Sequence, residues 1–436
     1  MTAVQRLFAN ARLVRCDASM TVEDADLRVV DGVITEIGPG LDPQGADVVN
    51  LDGLWVMPGF VQTHVHLCQT LFRGMADDLA LLDWLRTRIW PLEAAHDDDS
   101  MYWSARLAVT ELLLGGTTTV LDMGTARSVD PLFEACREGG MRARIGRALM
   151  DRENEAGLSQ PTDLALRAAC DEADRHAGDD RLGYAFAPRF VPSCTEELLV
   201  QVAAEARRRG CLLHSHASEN LDEVALVREL TGRDNLVYLH DLGLTGPDVA
   251  LAHCIHLTDD EVQLLADTGT RVLHCPSSNL KLASGLCRVP ELLERGVHVS
   301  IGADGAPCNN RLDAFTELRT AALLQKPRLG ATALPAPQAL ALATRAGAEA
   351  LGIPAGELSV GKVADLVVLD PDDPAALPAR DPISTIVYSM RPASVRSTWV
   401  AGTCVARDGR LLAWDTAETA RGVRKALDRV VERAGL

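Results

Sequence analysis

Residues 55–66 read WVMPGFVQTHVH: β-branched and aromatic side chains in a short apolar run, closing on His64 and His66. In extended backbone, positions i and i+2 point to the same side. The run therefore predicts a strand whose C-terminal end offers two imidazoles to one point. Working outward, the same unit, a short apolar run followed by a helix-like stretch, recurs along the chain. The runs are 55–63, 118–123, 142–150, 182–190, 211–215, 249–253, 271–275 and 297–303. Residues 195–209 (TEELLVQVAAEARRR) read as one of the intervening helices, and the one over 258–267 opens on Thr258-Asp259-Asp260-Glu261, the spacing of a capping box. Helices stop at Gly115, Gly139, Gly210, Gly269 and Gly296, where glycine accepts the left-handed turn that ends a helix. Eight strand–helix units in about 250 residues predict an α/β fold, a (β/α)8 TIM-like barrel. An open doubly wound sheet shares the alternation but matches that size less well.

The two ends of the chain read differently. Residues 8–14, 26–30 and 33–37 look like strands, the last two joined by the hairpin signal Asp31-Gly32. Residues 365–369 and 397–400 look like strands again, with turns at Ala401-Gly402 and Asp408-Gly409. Near the terminus Val423, Leu427, Val430 and Val431 share one helical face. The expected organisation is a barrel over 58–359 beside a small β-sandwich built from both termini, 1–57 plus 360–436, with the C-terminal helix included.

Composition narrows the class of function. The chain has 436 residues and a formal charge of −18, which leaves little attraction for nucleic acid or for an anionic membrane surface. No apolar run reaches the roughly 18 residues of a membrane span, and the first 20 residues lack a continuous apolar segment of the secretory kind. Eleven dispersed cysteines without a CxxC read as reduced thiols of a cytoplasmic protein rather than a disulfide framework or a zinc finger. Aromatic residues are only 4%, so aliphatic side chains must build the core.

Functional groups of such a barrel stand at the C-terminal ends of its strands. There the sequence places His64 and His66, then His214-Ser215-His216 followed by Glu219, then His253, then Asp304. Taken singly, each has an ordinary explanation: a chance His-x-His, a hydrogen-bonded core histidine, a turn aspartate beside Gly302 and Gly305. Together they converge on one mouth, and neutral imidazole with carboxylate is the donor set of zinc and of Fe(II).

The same residues carry a resemblance. Pro58-Gly59-Phe60 with His64-Val65-His66, Gly116-Thr117-Thr118-Thr119, His216-Ala217-Ser218-Glu219, Ala252-His253 and Asp304-Gly305 are similar to the amidohydrolase superfamily. They resemble its single-metal aminohydrolase branch, which includes guanine deaminases, 5′-methylthioadenosine/S-adenosylhomocysteine deaminases and s-triazine hydrolases. The resemblance implies one divalent ion, zinc or Fe(II), held by His64, His66, His216 and Asp304. The fourth strand ends Pro188-Arg189-Phe190, without the lysine that bridges two metals in other members. It further implies that Asp304 takes a proton from water, that His253 holds the attacking oxygen, and that Glu219 protonates a ring nitrogen and then the leaving amine. Gln69, Arg189 and Phe190 resemble the purine-edge set of guanine deaminases. Glu93 resembles a ribose-binding glutamate, and Arg147 a substrate-binding arginine, of the nucleoside enzymes. The expected activity is hydrolytic release of ammonia from an aminopurine-type ring, either a guanine-like base or a 5′-modified adenosine. An s-triazine or pterin hydrolase is the alternative on the same scaffold, and a non-enzymatic binding scaffold a remote one. The implied partner is a small heteroaromatic amine, and by analogy the chain forms a homo-oligomer.

Overall fold

The computed structural model describes residues 4–436. Its centre is a ring of parallel strands: Phe60–His66, Thr117–Thr125, Arg142–Leu149, Leu182–Pro188, Leu212–Ala217, Val249–His253 and Arg271–His274, then an eighth strand in two pieces, Val299–Ile301 and Asp304–Gly305. The first piece pairs with the seventh strand (Leu273 opposite Ser300) and the second with the first strand (Asp304 opposite Val65). That second pairing closes the (β/α)8 barrel, as expected from the eight-fold alternation. Helices Asp98–Leu114, Asp130–Gly139, Thr162–Arg175, Glu196–Arg209, Leu221–Thr231, Asp259–Thr268 and Val289–Glu294 fill the crossovers.

The local chemistry explains where these helices begin and end. The Thr258 hydroxyl accepts from the Glu261 N–H while the Glu261 carboxylate accepts from the Thr258 N–H, the reciprocal cap read from sequence. Gly210 and Gly269 take the left-handed conformation at helix ends; after the second barrel strand that role falls to Gly140 rather than Gly139. Helix Arg345–Ala350 and the turn after it plug the lower end. Ala348, Leu351 and Ile353 pack onto the inward side chains Val61, Leu121, Ala185, Ala250 and Leu273. The barrel is filled below by these apolar side chains.

The run 55–63 is not one strand. Trp55–Pro58 belongs to a second, nine-stranded sheet, and Phe60–His66 starts the barrel. Gly59 makes the switch. Its backbone passes so close to Thr118 that a Cβ would sit 2.2 Å from that side chain. In the second sheet, strands Gln5–Val14, Val22–Val30 and Val33–Gly38 from the N-terminus meet Leu366–Leu369, Val395–Val400 and Thr403–Arg407 from the C-terminus. The sheet folds over itself into the expected sandwich. Phe8 and Trp399 stand three strands apart, roughly 14 Å in a flat sheet, yet their rings meet edge to face at 4.9 Å. A short strand, Asp47–Asn50, was not anticipated; its side chains are mostly exposed and give no apolar pattern. The terminal helix, Thr416–Ala434, starts at its Asp415 cap, well before the apolar face over 423–431. It lies on the barrel rather than on the sandwich: Ala426 and Val430 pack against Leu71, Phe72 and Leu92, and Arg433 donates to the Ala95 carbonyl at 2.8 Å.

A buried ion pair ties sandwich to barrel. Arg142, at the start of the third barrel strand, donates to Asp365 at 2.7 and 3.3 Å, and Asp365 also accepts from the Ala401 N–H at 2.7 Å. Removing one partner strands a charge in a buried junction, which costs about 3–5 kcal/mol. Arg142→Met is accordingly expected to lower the free energy of urea unfolding by that amount. A change under 1 kcal/mol, roughly the value of an exposed pair, would count against the junction's importance. All eleven cysteines are free, and no helix among the described residues is long and apolar enough to cross a membrane.

Candidate active site and metal centre

The site is assembled by departures from regular strand geometry. On the first barrel strand Val61 faces the barrel floor, so strict alternation would send Val65 inward and His64 and His66 outward. A register shift between Gln62 and Val65 reverses this and turns both imidazoles into the mouth. Strand five needs no such device, because Leu212, His214 and His216 share its inner side. The sixth strand ends with His253 and Cys254 at φ of 71° and 48°, and the break in the eighth leaves Asp304 at φ 64°. Left-handed backbone at non-glycine residues is costly and is retained where the surroundings enforce it, commonly at functional sites. Gly302 allows that break, since a Cβ there would lie 2.6 Å from the backbone of His64.

These devices bring donors from four strands together. Asp304 Oδ1 lies 3.3 Å from Nε2 of both His64 and His66, and Oδ2 lies 3.9 Å from His253 Nε2. One ligand atom from each of His64, His66 and Asp304 falls within 4.8 Å of the others, and the same holds for His64, His216 and His253. Three of the rings are anchored at Nδ1: His216 donates to the Arg189 carbonyl at 2.7 Å, His253 pairs with Asn279 Oδ1 at 2.8 Å, and His64 with His214 at 2.8 Å. Each anchored ring turns Nε2 to the common centre. His64 Nε2 is buried there without a hydrogen-bond partner. Burial drives the pKa values of His66 and His216 well below the ordinary value, keeping them neutral, the form that ligates. Burial acts the other way on Asp304, but the histidines crowded around it, two of them 3.3 Å away, hold that carboxyl well below the usual range. By chemistry and arrangement the donors fit a divalent ion.

Glu219 stands beside this cluster. Its Oε2 is 3.5 Å from His253 Nε2, and its Oε1 accepts from the Ser284 hydroxyl at 3.0 Å. Burial raises its pKa despite the nearby His253. The Glu223 carboxylate accepts the Glu219 N–H at 2.7 Å, and burial lifts Glu223 itself to about 7.

Above the cluster is a cavity into which His66, His216, Glu219, His253 and Asp304 all face. Its roof is one helical stretch, Leu81–Trp84, Leu85–Ile89 and Trp90–Ala94, whose middle turn is π-wound. The π turn is a rare feature that recurs at functional sites. Here it presents Leu81, Trp84 and Leu85 to the cavity, while Glu93 stands in its last turn. Gln69, Arg189 and Phe190 also line the cavity. Glu93, 2% exposed, links two of them: it accepts from Arg189 at 2.6 and 3.3 Å and from Gln69 at 2.7 Å.

Arg147 is not among the residues brought to the cavity. On the third strand the inward residue is Ala148, packed with Met123 and Ala187, so Arg147 faces the outer helices. Its guanidinium is spent on Glu172 at 2.6 and 3.0 Å and on the Ala126 carbonyl at 2.7 Å, away from the cavity. Several residues escaped sequence reasoning: His214 as the anchor of His64, and Glu223 and Ser284 around Glu219. Glu223 had a local signal, because it lies four residues after Glu219. Ser284 had none.

A closed parallel barrel with a histidine-rich, metal-competent cluster and a buried carboxylic acid at its C-terminal mouth defines a barrel hydrolase. The chain belongs to the amidohydrolase family, whose pattern it matches over residues 55–405. It is 40% identical over 430 residues to a 5′-deoxyadenosine deaminase of Methanosarcina acetivorans, covering 98% of this chain and 99% of that one. It is 39% identical over 403 residues, 91% of each chain, to a 5-methylthioadenosine/S-adenosylhomocysteine deaminase of Syntrophobacter fumaroxidans. Among solved structures, an adenosine deaminase from Xanthomonas campestris with bound zinc superposes with a TM-score of 0.92 at 33% identity, over 98% of both chains.

Proposed function

We propose that this chain is a metal-dependent hydrolytic deaminase of aminopurine compounds, with 5′-modified adenosines as its leading substrate class. The observation that carries the chemistry is Glu219, a buried carboxylic acid 3.5 Å from His253 at the edge of a three-histidine, one-aspartate cluster. The names of the relatives support the substrate class. His64, His66, His216 and Asp304 hold one divalent ion, zinc in the first instance. When bound, such an ion supplies hydroxide at neutral pH by lowering the pKa of water to about 7.

The chain's own residues do the rest. Asp304, fixed by the Ser278 hydroxyl at 2.6 Å and the Gly305 N–H at 2.7 Å, accepts a proton from water. His253, locked through Nδ1 by Asn279, directs Nε2 at the attacking oxygen. Glu219, held protonatable by burial, gives its proton to the ring nitrogen next to the amine-bearing carbon, takes one back from the newly added hydroxyl and passes it to the departing nitrogen; the proton taken up by Asp304 then restores Glu219. A carbon–oxygen bond forms, the carbon–nitrogen bond breaks, and ammonia leaves a ring carbonyl behind. The wall of Leu81, Trp84, Leu85 and Phe190 shelters the apolar faces of the ring and excludes water.

A second reading, a guanine-like free base, is favoured by one observation. Gln69 and Arg189 both reach the cavity, held in a hydrogen-bonded row by Glu93, and Gln69 Oε1 is buried with no partner. An amide oxygen beside a guanidinium matches a purine edge that offers N–H next to an acceptor. Ammonia release by zinc-loaded protein from guanine, adenosine, 5′-deoxyadenosine, 5′-methylthioadenosine and S-adenosylhomocysteine tests both. We expect the 5′-modified adenosines to give the highest kcat/KM. Guanine in first place selects the second reading, and no turnover of any aminopurine refutes both. Faster turnover of an s-triazine or pterin than of every purine would reassign the scaffold.

A further inference from the structure

We infer that His214 is a positioning residue for the metal centre: it decides which nitrogen of His64 faces the ion, and it does so without adding charge. The inference rests on the metal-dependent reading above. Where His216 and His253 are anchored by oxygen atoms, those acceptors fix the ring proton at Nδ1. The anchor of His64 is instead a ring nitrogen, His214 Nε2, at 2.8 Å. Nitrogen of this kind donates or accepts according to tautomer, so the two imidazoles must be set together. His64 Nε2 points at the cluster, 3.3 Å from Asp304 Oδ1. A lone pair there requires the proton on Nδ1, an accepting Nε2 on His214, and the His214 proton on its own Nδ1. That outer nitrogen is buried and partnerless. Both rings are fully buried and stand edge to face, 86° apart with centroids 4.9 Å from each other, which leaves little freedom for another arrangement. An Nε2 that accepts from His64 carries no proton, so His214 stands in its neutral form in this arrangement.

The usual partner of a ligating histidine is a carboxylate, a backbone carbonyl or water. A carboxylate behind His64 would be a second negative group next to Asp304 and would neutralise a cluster of three imidazoles and one carboxylate around a dication. An imidazole orients His64 equally well and leaves the residual positive charge that polarises water.

The test uses full-length, zinc-loaded protein with His214 replaced by Leu, Gln or Glu, and His216→Ala as a control. Zinc affinity is measured by chelator competition, and kcat on the best aminopurine. His214→Leu lacks an acceptor and is expected to bind zinc about 10–100-fold more weakly. His214→Gln, whose amide oxygen reaches the place of Nε2, is expected to recover most of that loss. His214→Glu is expected to bind zinc at least as tightly as the unchanged protein yet turn over more slowly. A Leu variant with unchanged affinity, or a Gln variant no better than Leu, overturns the positioning role; a Glu variant with full kcat overturns the role of charge. If the unchanged protein itself binds no zinc, or its turnover is indifferent to zinc, the metal-dependent reading has failed, and the two failures are thereby told apart.

Discussion

Replacing Glu219 by Gln is expected to lower kcat by about 10²–10⁴, the range for loss of a positioned general acid–base, while zinc content and fold stay as they are. The substitution keeps shape and polarity. The amide oxygen can still accept from Ser284, now at 3.0 Å from Glu219 Oε1, and the backbone N–H is still held by Glu223. What disappears is a group able to gain and lose a proton. The ring nitrogen then reacts unprotonated, and the amine must depart as a much poorer leaving group. Because Glu219 is set apart from the donors grouped for metal binding, its loss falls on turnover and not on the ion. Steady-state kinetics with metal analysis of the same sample read both quantities. Turnover within tenfold of the unchanged protein would remove Glu219 from the proton-transfer role.

The second large effect is expected at His216. His216→Ala removes an imidazole whose Nδ1 is tied to the Arg189 carbonyl and whose ring stacks 5.5 Å from those of His66 and His253. Zinc affinity is expected to fall by more than the 10–100-fold attached to loss of an outer partner, and activity at limiting zinc to disappear with it. Stability reports the same event without any substrate. A ligand present at a thousand times its Kd and bound only to the folded state adds about 4 kcal/mol. Zinc should therefore raise the melting temperature of the unchanged protein and leave that of His216→Ala nearly where it was. Equal stabilisation of both proteins, with one zinc in each, would strike His216 from the ligand set.

The barrel was legible because its strands are short apolar runs separated by helices with explicit caps and glycine stops, and these signals are local. Legibility failed where a local pattern had two meanings. The run 55–63 looks like one strand, and only the approach of Gly59 to Thr118 divides it between two sheets. Arg147 sits at a strand end, but a one-residue change of parity decides between cavity and helix layer, and the inward position belongs to Ala148. The strand-end histidines, Glu219 and Asp304 could be read because the fold puts all strand ends at one mouth. The pairings Glu93–Arg189 and His64–His214 could not, as they join residues 96 and 150 positions apart and depend on angles no local motif encodes.

The seam of the barrel has a consequence of its own. The last strand joins the first in ladder register through Asp304 and Gly305, opposite Val65 and His66. Asp304 thus lies across the join from His64 and His66, so an ion shared by the three acts as a clasp on the hoop. With the proposed donor set, closing the ring and completing that set would be one event. While the eighth strand is loose the chain has no centre to fill, and a filled centre resists letting that strand go.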